Sequence, residues 1–236
     1  GAGMVGTCTA LHLQQRGFDV TLVDRRTPGQ ETSMGNAGLI QREGVVPYGF
    51  PQELGMLIRY GFNNRIDAHY HASAILKLVP FLSRYWWHSN KSRHEVIARA
   101  YAPLIENSIT EHQDLIQAAK ADHLIRKDGW MEIFRTTAKR DSELAEAARL
   151  AREYGVSYRA LNREELAKEE PHIRGDFVGG LKWNDPWSVT NPHGLTQAYL
   201  NYFQSLGGRF VKGDATSLET GASGKGWRVK TDDGMV

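Results

Sequence analysis

Residues 1–6 read Gly1-Ala2-Gly3-Met4-Val5-Gly6 and fit the pattern G-x-G-x-x-G. In this pattern the first glycine allows a tight turn, the second lets the backbone approach a pyrophosphate, and the third lets a helix pack closely on a sheet. Apolar residues at helical spacing follow up to Gln15, and Gly17 supplies a stop. The N-terminus of such a helix presents free N–H groups and a partial positive charge to phosphates.

An acidic residue follows where a dinucleotide-binding unit requires one. The apolar run Val20, Leu22 and Val23 suits a buried parallel strand, and Asp24 ends it, 18 residues after Gly6. An acid at this point can accept hydrogen bonds from a ribose. Alone, the glycine motif also fits an ordinary strand-to-helix turn. The order of motif, helix, strand and acid favours a dinucleotide site.

The composition excludes several classes of protein. The 236 residues are 41% hydrophobic and 24% charged, which is ordinary for a globular protein of one large or two modest domains. A net charge of +2 gives no electrostatic reason to expect nucleic acid as a partner. The single cysteine, Cys8, excludes an intrachain disulfide and fits a reducing compartment. We expect Cys8 to serve as a small buried hydrophobe rather than a reactive thiol.

No secretory signal or transmembrane segment is predicted. The most apolar stretch, residues 72–87, is interrupted by Lys77, Pro80 and Arg84 and falls short of the ~20 apolar residues that span a bilayer. We therefore expect a cytoplasmic protein. The chain opens on Gly1 inside a motif and closes just after a turn-like stretch at 232–234, so we also expect a fragment truncated at both ends. We expect residues 1–236 alone to be insoluble or inactive.

The chain divides into three segments by pattern. Residues 1–44 and 191–236 have α/β character, and residues 45–190 form a different, helix-and-strand insertion. The elements predicted within them are a helix over 102–121, a strand over 130–134, a helix over 142–154 with Ser142 as N-cap, a short helix after an Asn162–Glu165 capping box, a helix from Asn191-Pro192 to about 206, and strands over 209–211 and 227–231 around a turn over 221–226.

The loop after Asp24 distinguishes between an NAD-binding and an FAD-binding protein. An NAD-binding unit would normally enter another helix and a third parallel strand, whereas here the chain reads Glu31-Thr32-Ser33-Met34-Gly35-Asn36-Ala37-Gly38. With Gly1–Gly6 and Asp24-Arg25, this loop resembles the D-amino-acid oxidase-type FAD-dependent oxidoreductases, and most of all the D-amino-acid dehydrogenases. The resemblance covers essentially the whole chain, through Gly129-Trp130, Glu170-Pro171 and Asp185-Pro186 to Asn191-Pro192.

The resemblance implies an α/β (α+β overall) fold, in which a Rossmann-like FAD-binding domain holds an inserted mixed α+β substrate domain. It implies FAD as the cofactor, with small and hydroxyl side chains of residues 32–38 along it. An ordinary surface loop is the alternative for those residues. The residues assigned to the cofactor by motif and resemblance are Gly1, Ala2, Gly3, Met4, Val5, Gly6, Asp24, Arg25, Thr32, Ser33, Asn36, Ala37, Gly38 and Ala215.

The resemblance also implies a reaction. A hydride passes from the Cα of a D-amino acid to FAD, giving an imino acid that water hydrolyses to a 2-oxo acid and ammonia, with quinone or oxygen as electron acceptor. A glycine- or sarcosine-oxidase-like enzyme and a non-catalytic flavin-holding subunit are the alternatives. The substrate-anchoring arginine of such proteins comes from a later region, so no catalytic residue is assigned. Tyr48, Trp130 and residues 85–87 are candidate pocket linings.

Two further features have weaker interpretations. His69 and His71 would share a face only on a strand, and no acid or cysteine clusters with them, so no metal site is predicted. Trp86-Trp87, with Phe81 and Tyr85, could line a substrate channel or touch the inner face of a membrane peripherally. Core packing or an interface is the commoner explanation for such a cluster.

Overall fold

The computed structural model describes residues 1–64, 66, 69–221, 224–232 and 234–235. Its helices are α1 (Met4–Gln15), α2 (Leu54–Gly61), α3 (Ala72–His88), α4 (Lys91–Glu106), α5 (Ser108–Ala118), α6 (Thr137–Tyr154), α7 (Arg163–Glu169) and α8 (Pro192–Ser205), with short 3-10 helices at Thr32–Met34 and Asp122–Leu124. Its strands are β1 (Thr21–Asp24), β2 (Leu39–Ile40), β3 (Ile125–Arg126), β4 (Trp130–Phe134), β5 (Tyr158–Leu161), β6 (Gly179–Trp183), β7 (Trp187–Val189), β8 (Arg209–Thr220), β9 (Trp227–Thr231) and β10 (Gly234–Met235).

A mixed sheet joins the two ends of the chain. β1 pairs in parallel with β8, so that Thr21 lies opposite Arg209 and Asp24 opposite Lys212. β8 then pairs antiparallel with β9, and β9 with β10. Helices α1 and α8 pack against each other beside this sheet. The first and last predicted segments therefore form one α/β unit, as the Rossmann-like interpretation requires.

The apolar side chains of α1 and α8 build the core of this unit. Leu11, Tyr199 and Phe203 are fully buried there, and Leu115 and Ile116 of α5 join them. Burying side chains of this size contributes roughly 1.5–3 kcal/mol each. α5 is thus the element that attaches the helical middle of the chain to the α/β unit.

Two antiparallel sheets are built mainly from the inserted segment, with β2 added from the first segment. β2, β7 and β3 form one, in the order β2-β7-β3, and β4, β6 and β5 form the other, in the order β4-β6-β5. α6 packs on the second sheet, where Trp130 of β4 lies opposite Trp183 of β6 and Phe134 is buried beneath the helix. β2 follows directly on the loop predicted to contact FAD, so that loop is joined to the insertion by hydrogen bonds to β7.

The α/β fold class is confirmed by the parallel β1–β8 pair and the mixed helix and strand content. The strands at 130–134 and 227–231 are confirmed, as is the capping box, in which Asn162 accepts from the N–H of Glu165 and the Glu165 side chain accepts from the N–H of Asn162. The limits of the three predicted domains stay predictions. Residues 222, 223 and 233 of the two predicted turns, and Val236, lie outside the described residues.

Two predicted helix boundaries are wrong. The single helix expected over 102–121 is divided at Asn107, whose side-chain Nδ2 donates to the carbonyl of Pro103 at 2.9 Å while its backbone ends α4. Asn favours such helix ends because its side chain competes for backbone groups. α6 begins at Thr137 rather than after Ser142, because Thr136 Oγ1 accepts from the Lys139 N–H and provides the N-cap.

Phe203→Ala tests the core between α1 and α8. Removing this fully buried ring should lower the free energy of unfolding by about 3–5 kcal/mol, because it leaves a cavity in a packed core. Urea denaturation of the complete protein measures the loss. Phe18→Ala is the matched control, since Phe18 is 58% exposed and its truncation should cost about 0.5 kcal/mol or less. Equal losses in the two variants would contradict the described core.

Candidate cofactor site and the adjoining cavity

The glycine turn at the start of α1 is closed by contact between backbone atoms. A Cβ atom added to Gly6 would lie 1.7 Å from the carbonyl oxygen of Gly1, so only glycine fits there. Cβ atoms added to Gly1 and Gly3 would face Asp24 Oδ2 at 3.8 Å and Ser33 Oγ at 3.5 Å. The bare backbone of these two glycines therefore forms the floor of a shallow cradle between Asp24 and Ser33.

The N-terminus of α1 presents unpaired donors to this cradle. The first backbone bond of the helix runs from the N–H of Thr7 to the carbonyl of Gly3 at 2.9 Å. Within the described residues, the N–H groups of Gly3, Val5 and Gly6 have no acceptor. The N–H of Met4 donates to Ser33 Oγ at 3.0 Å. Free N–H groups at the positive end of a helix are a ready site for an anion.

Asp24 lies at the carboxyl end of β1, beside the same turn. Its Oδ2 accepts from the N–H of Ala2 at 2.6 Å, and its Oδ1 accepts from the N–H of Arg26 at 2.9 Å. Partial burial acts to raise the pKa of Asp24, but the backbone hydrogen bonds from Arg26 and Ala2 outweigh it and hold the pKa below its ordinary value. The carboxylate is therefore ionised near neutral pH and can accept further hydrogen bonds.

Pro28 and Gly29 support the turn from the other side. The N–H of Gly29 donates to the carbonyl of Ala2 at 2.9 Å, and His193 Nδ1 of α8 lies 3.1 Å from the carbonyl of Gly29. The Gln197 side chain donates to the carbonyl of Pro28. This support is not among the features predicted from the sequence. The Pro-Gly dipeptide was the available signal, since it marks a turn.

The predicted FAD loop ends in a fixed backbone turn. Asn36 Oδ1 accepts from the N–H of Gly38 at 2.9 Å, and Gly38 has a φ of +65°, which favours glycine. A Cβ on Gly38 would lie 2.4 Å from the carbonyl oxygen of Val189, whose own N–H donates to the Gly38 carbonyl at 2.6 Å. A cavity of about 90 Å³ lies here; its walls include Met4, Asn36, Gly38, His112, Val189 and Pro192.

Among the described residues, some of the predicted cofactor residues contact one another, and others are exposed without such contacts to the turn. Hydrogen bonds connect the turn, Asp24 and Ser33, and the small cavity connects Met4 with Asn36 and Gly38. Thr32 and Ala37 are exposed on the same loop. Arg25 pairs with Glu31 at 3.0 Å on the surface.

Ala215 is exposed on β8, three residues beyond Lys212, the partner of Asp24. Hydrogen bonds from Thr216 and, more weakly, the charge of Arg25 hold the pKa of the neighbouring Asp214 below its ordinary value. The carboxyl end of β1 and the segment around Ala215 are thus near enough for their charges to interact.

A larger cavity, of about 550 Å³, adjoins the end of the FAD loop. Trp130 lies on its wall, and the indole Nε1 donates to Glu43 Oε1 at 2.7 Å; Gln41 Nε2 donates to the same oxygen at 3.0 Å. Glu43 is only 6% exposed, and its Oε2 is buried with no partner among the described residues. Burial raises the pKa of Glu43. The sequence offers no signal for Glu43, which lies in a loop.

The other predicted linings differ in position. Tyr48 also lines this cavity but is 89% exposed. Trp86 and Trp87 are 42% and 53% exposed, so they lie on the surface of α3 and outside the core. Tyr85 packs edge-on against Phe50 and donates its hydroxyl to the carbonyl of Tyr48.

The structure also bears on Cys8, on metal binding and on membrane-spanning helices. Burial raises the pKa of the Cys8 thiol to about 11, as expected for an unreactive packing residue. Across the described ranges, no group of three or more His, Cys, Asp or Glu residues is arranged to hold a metal ion. No described helix is long and apolar enough to cross a membrane.

Comparison with known proteins decides the family. The model of the family described as FAD dependent oxidoreductase (DAO) matches residues 1–236. The chain belongs to this family. The resemblance found in the sequence is therefore confirmed, and so is FAD as the cofactor of the family.

Individual relatives agree with this assignment. The chain is 28% identical over 224 residues to a D-amino-acid oxidase of Bradyrhizobium diazoefficiens (93% of this chain, 52% of the relative). It is 29% identical over 224 residues to a D-amino acid dehydrogenase of the same organism (89% and 51%). The crystal structure of glycine oxidase from Geobacillus kaustophilus has the same fold, with a TM-score of 0.61 at 16% identity, covering 100% of this chain and 50% of that one. The chain thus spans about half the length of these relatives.

Glu43→Gln tests the desolvation of the Glu43 carboxyl. Below about pH 4.3 the side chain is protonated in both states. Above that, the unfolded chain releases the proton first, so the stability of the wild type falls as the pH rises until folded Glu43 ionises as well. The variant cannot ionise, so its free energy of unfolding should rise relative to the wild type across this window.

Urea denaturation at several pH values from about 4 to 8 measures this difference. Glu164→Gln, an exposed glutamate in the first turn of α7, is the matched control and should show no such trend. A difference between Glu43→Gln and wild type that does not change with pH would show that Glu43 is not desolvated.

Proposed function

We propose that this chain binds FAD in the cradle at the N-terminus of α1 and belongs to an enzyme that oxidises the C–N bond of a D-amino acid. The product is an imino acid, which water hydrolyses to a 2-oxo acid and ammonia. The observation that carries the proposal is the row of unpaired N–H groups on Gly3, Val5 and Gly6, set between Asp24 and Ser33 in a chain of this family.

The N-terminus of α1 fits the pyrophosphate. The three free N–H groups supply hydrogen bonds, the helix dipole supplies a partial positive charge, and bare glycine backbone allows close approach. Because Met4 N–H already donates to Ser33 Oγ, the hydroxyl of Ser33 is held at the edge of the cradle. There it can donate its own proton to a phosphate oxygen.

Asp24 fits the adenosine ribose. Its carboxylate is ionised, fixed by two backbone N–H groups, and each oxygen has a remaining lone pair for a ribose hydroxyl. We infer that the backbone at Ala215, past the strand position opposite Asp24, lies towards the adenine. Arg25 and Thr32, both exposed beside this path, are proposed as further contacts to the cofactor.

The rigid end of the loop fits the other half of the cofactor. Gly38 is held in its left-handed conformation by Asn36 and by Val189, and Ala37 is exposed between them. We infer that Asn36, Ala37 and Gly38 face the ribityl chain and the edge of the ring system. FAD, when bound, accepts the hydride from the substrate Cα. The residues named here would bind and orient the cofactor.

A second candidate is an oxidase of glycine, sarcosine or another small amine. The similarity of fold to a glycine oxidase structure favours it. Both candidates use the same cofactor cradle and differ only in the amine. A third alternative, a subunit that holds flavin without catalysis, is separated from both by whether any amine reduces the flavin.

Asp24→Ala tests the cradle. It should weaken FAD binding by about 1–3 kcal/mol, because the ribose hydroxyls and the Ala2 N–H lose their acceptor. Titration of the complete apoprotein with FAD, followed by flavin fluorescence, measures the affinity. Asp19→Ala is the matched control. Asp19 precedes β1 and pairs with Arg209 on the surface. Unchanged FAD affinity in Asp24→Ala, or NAD as the ligand released on denaturation, would refute the assignment.

Anaerobic reduction of the bound flavin tests the reaction. We expect at least one member of a panel of D-amino acids, L-amino acids, glycine and sarcosine to bleach the flavin absorbance of the complete protein, with a D-amino acid the most rapid. Reoxidation by oxygen or by a soluble quinone then identifies the electron acceptor. If no amine reduces a flavin that dithionite reduces normally, the non-catalytic subunit takes the place of the enzyme.

A further inference from the structure

Four aromatic side chains line the 550 Å³ cavity. Trp130 and Trp183 lie directly opposite each other on β4 and β6, and Tyr101 of α4 and Tyr48 contribute further rings. Both indole N–H groups are used inside the protein: Trp130 donates to Glu43 Oε1 at 2.7 Å and Trp183 donates to Glu132 Oε1 at 3.1 Å. Aromatic rings attract cations through their negative faces, especially where water is excluded.

The same wall carries an excess of negative charge. Glu143 and Glu146 of α6 are each paired with a cation, Lys139 and Arg149 respectively. Glu43 and Glu132 accept hydrogen bonds only from neutral groups, and among the described residues neither has an ion-pair partner.

His94 also lines the cavity. Its Nε2 lies 2.8 Å from the carbonyl oxygen of Pro47 and therefore donates to it. Among the described residues, His94 forms no ion pair with Glu43 or Glu132.

The unsatisfied carboxylate oxygen of Glu43 independently indicates that a ligand binds here. It is 6% exposed, and its Oε2 has no hydrogen-bond partner in the described part of the chain, although buried carboxylate oxygens are normally satisfied. Glu132 is also unusual, because the alternation of β4 puts it on the same face as Trp130 and Phe134, the face covered by α6. A cation in the cavity would offset the cost of holding the Glu43 carboxylate away from water, and it would also face Glu132.

The cavity lies next to the cofactor loop. Asn36 and Gly38–Ile40 line the small cavity, and Gln41, Glu43 and Gly44, which follow in the chain, line the larger one. Gln41 is three residues from Gly38, so their Cα atoms are at most about 11 Å apart.

We propose that this cavity binds an alkylammonium group. Resting on the proposed function, we assign that group to the substrate, as a second cationic end beyond the amine that is oxidised. The substrate class is then a basic amino acid or a diamine. Trp130 and Trp183 provide the aromatic wall, and Glu43 and Glu132 provide the unpaired negative charge.

Binding of a simple amine tests the cavity independently of turnover. Pentylammonium and the neutral pentanol are titrated by calorimetry into the complete flavin-loaded protein under anaerobic conditions. We expect pentylammonium to bind about tenfold tighter or more, and Glu43→Gln to reduce its affinity about tenfold by removing a charged partner. Glu132→Gln is the second variant, should Glu43→Gln not fold, and exposed Glu164→Gln is the matched control. Equal binding of the two ligands, or equal binding to wild type and both cavity variants, overturns the proposal.

Substrate comparison then distinguishes the source of the ammonium group. Lysine and norleucine, each as both enantiomers, differ in the distal ammonium alone. We expect kcat/KM for the active enantiomer of lysine to exceed that of norleucine at least tenfold, and Glu43→Gln to remove most of this preference while leaving the flavin spectrum unchanged. If the flavin is reduced by norleucine as readily as by lysine, the assignment to substrate fails while the proposed function stands. If no amine reduces the flavin, the proposed function fails, and the binding experiment alone reports on the cavity.

Discussion

The parallel pairing of β1 with β8 is the constraint on which the arrangement of the chain depends. It brings Thr21–Asp24 beside Arg209–Lys212 and so fixes where the carboxylate of Asp24 can lie. The turn at Gly1–Gly6 is positioned in turn by Asp24, through the bond to the Ala2 N–H, and by Gly29, which α8 supports through His193. The turn is therefore held at Ala2 from two directions, through its N–H and through its carbonyl.

Much of this α/β unit could be predicted because its signals are local. Gly3 precedes α1 and Gly17 follows its end, and the run ending at Asp24 has the composition of a buried strand. The helix after Asn191-Pro192 was equally clear, since an N-cap followed by proline suits few other structures. Such patterns depend on the preferences of a few neighbouring residues, so no knowledge of the tertiary fold is needed to find them.

What the sequence did not reveal depends on contacts between distant residues. Glu43 is buried next to Trp130, which lies 87 residues later in the chain and supplies an indole N–H to its carboxylate. Its loop pattern predicts exposure, and the acidic, aromatic cavity has no local motif. The cofactor residues are predicted from the glycine motif and the family resemblance, whereas the support by Pro28-Gly29 required the structure.

The distance along the chain between β1 and β8 has a consequence for how the protein forms. β4, α6, β5 and β6 lie within residues 130–183 and pair over short separations, so they can fold as soon as they are synthesised. Asp24 and Lys212 are separated by 188 residues, and closing so long a loop precedes any gain from the contact. At about 5–20 residues per second, a ribosome needs roughly 10–40 s to make that interval. During this time the glycine turn exists without its sheet partner, so we expect the part of the fold around this turn to form late, after β8 has been made.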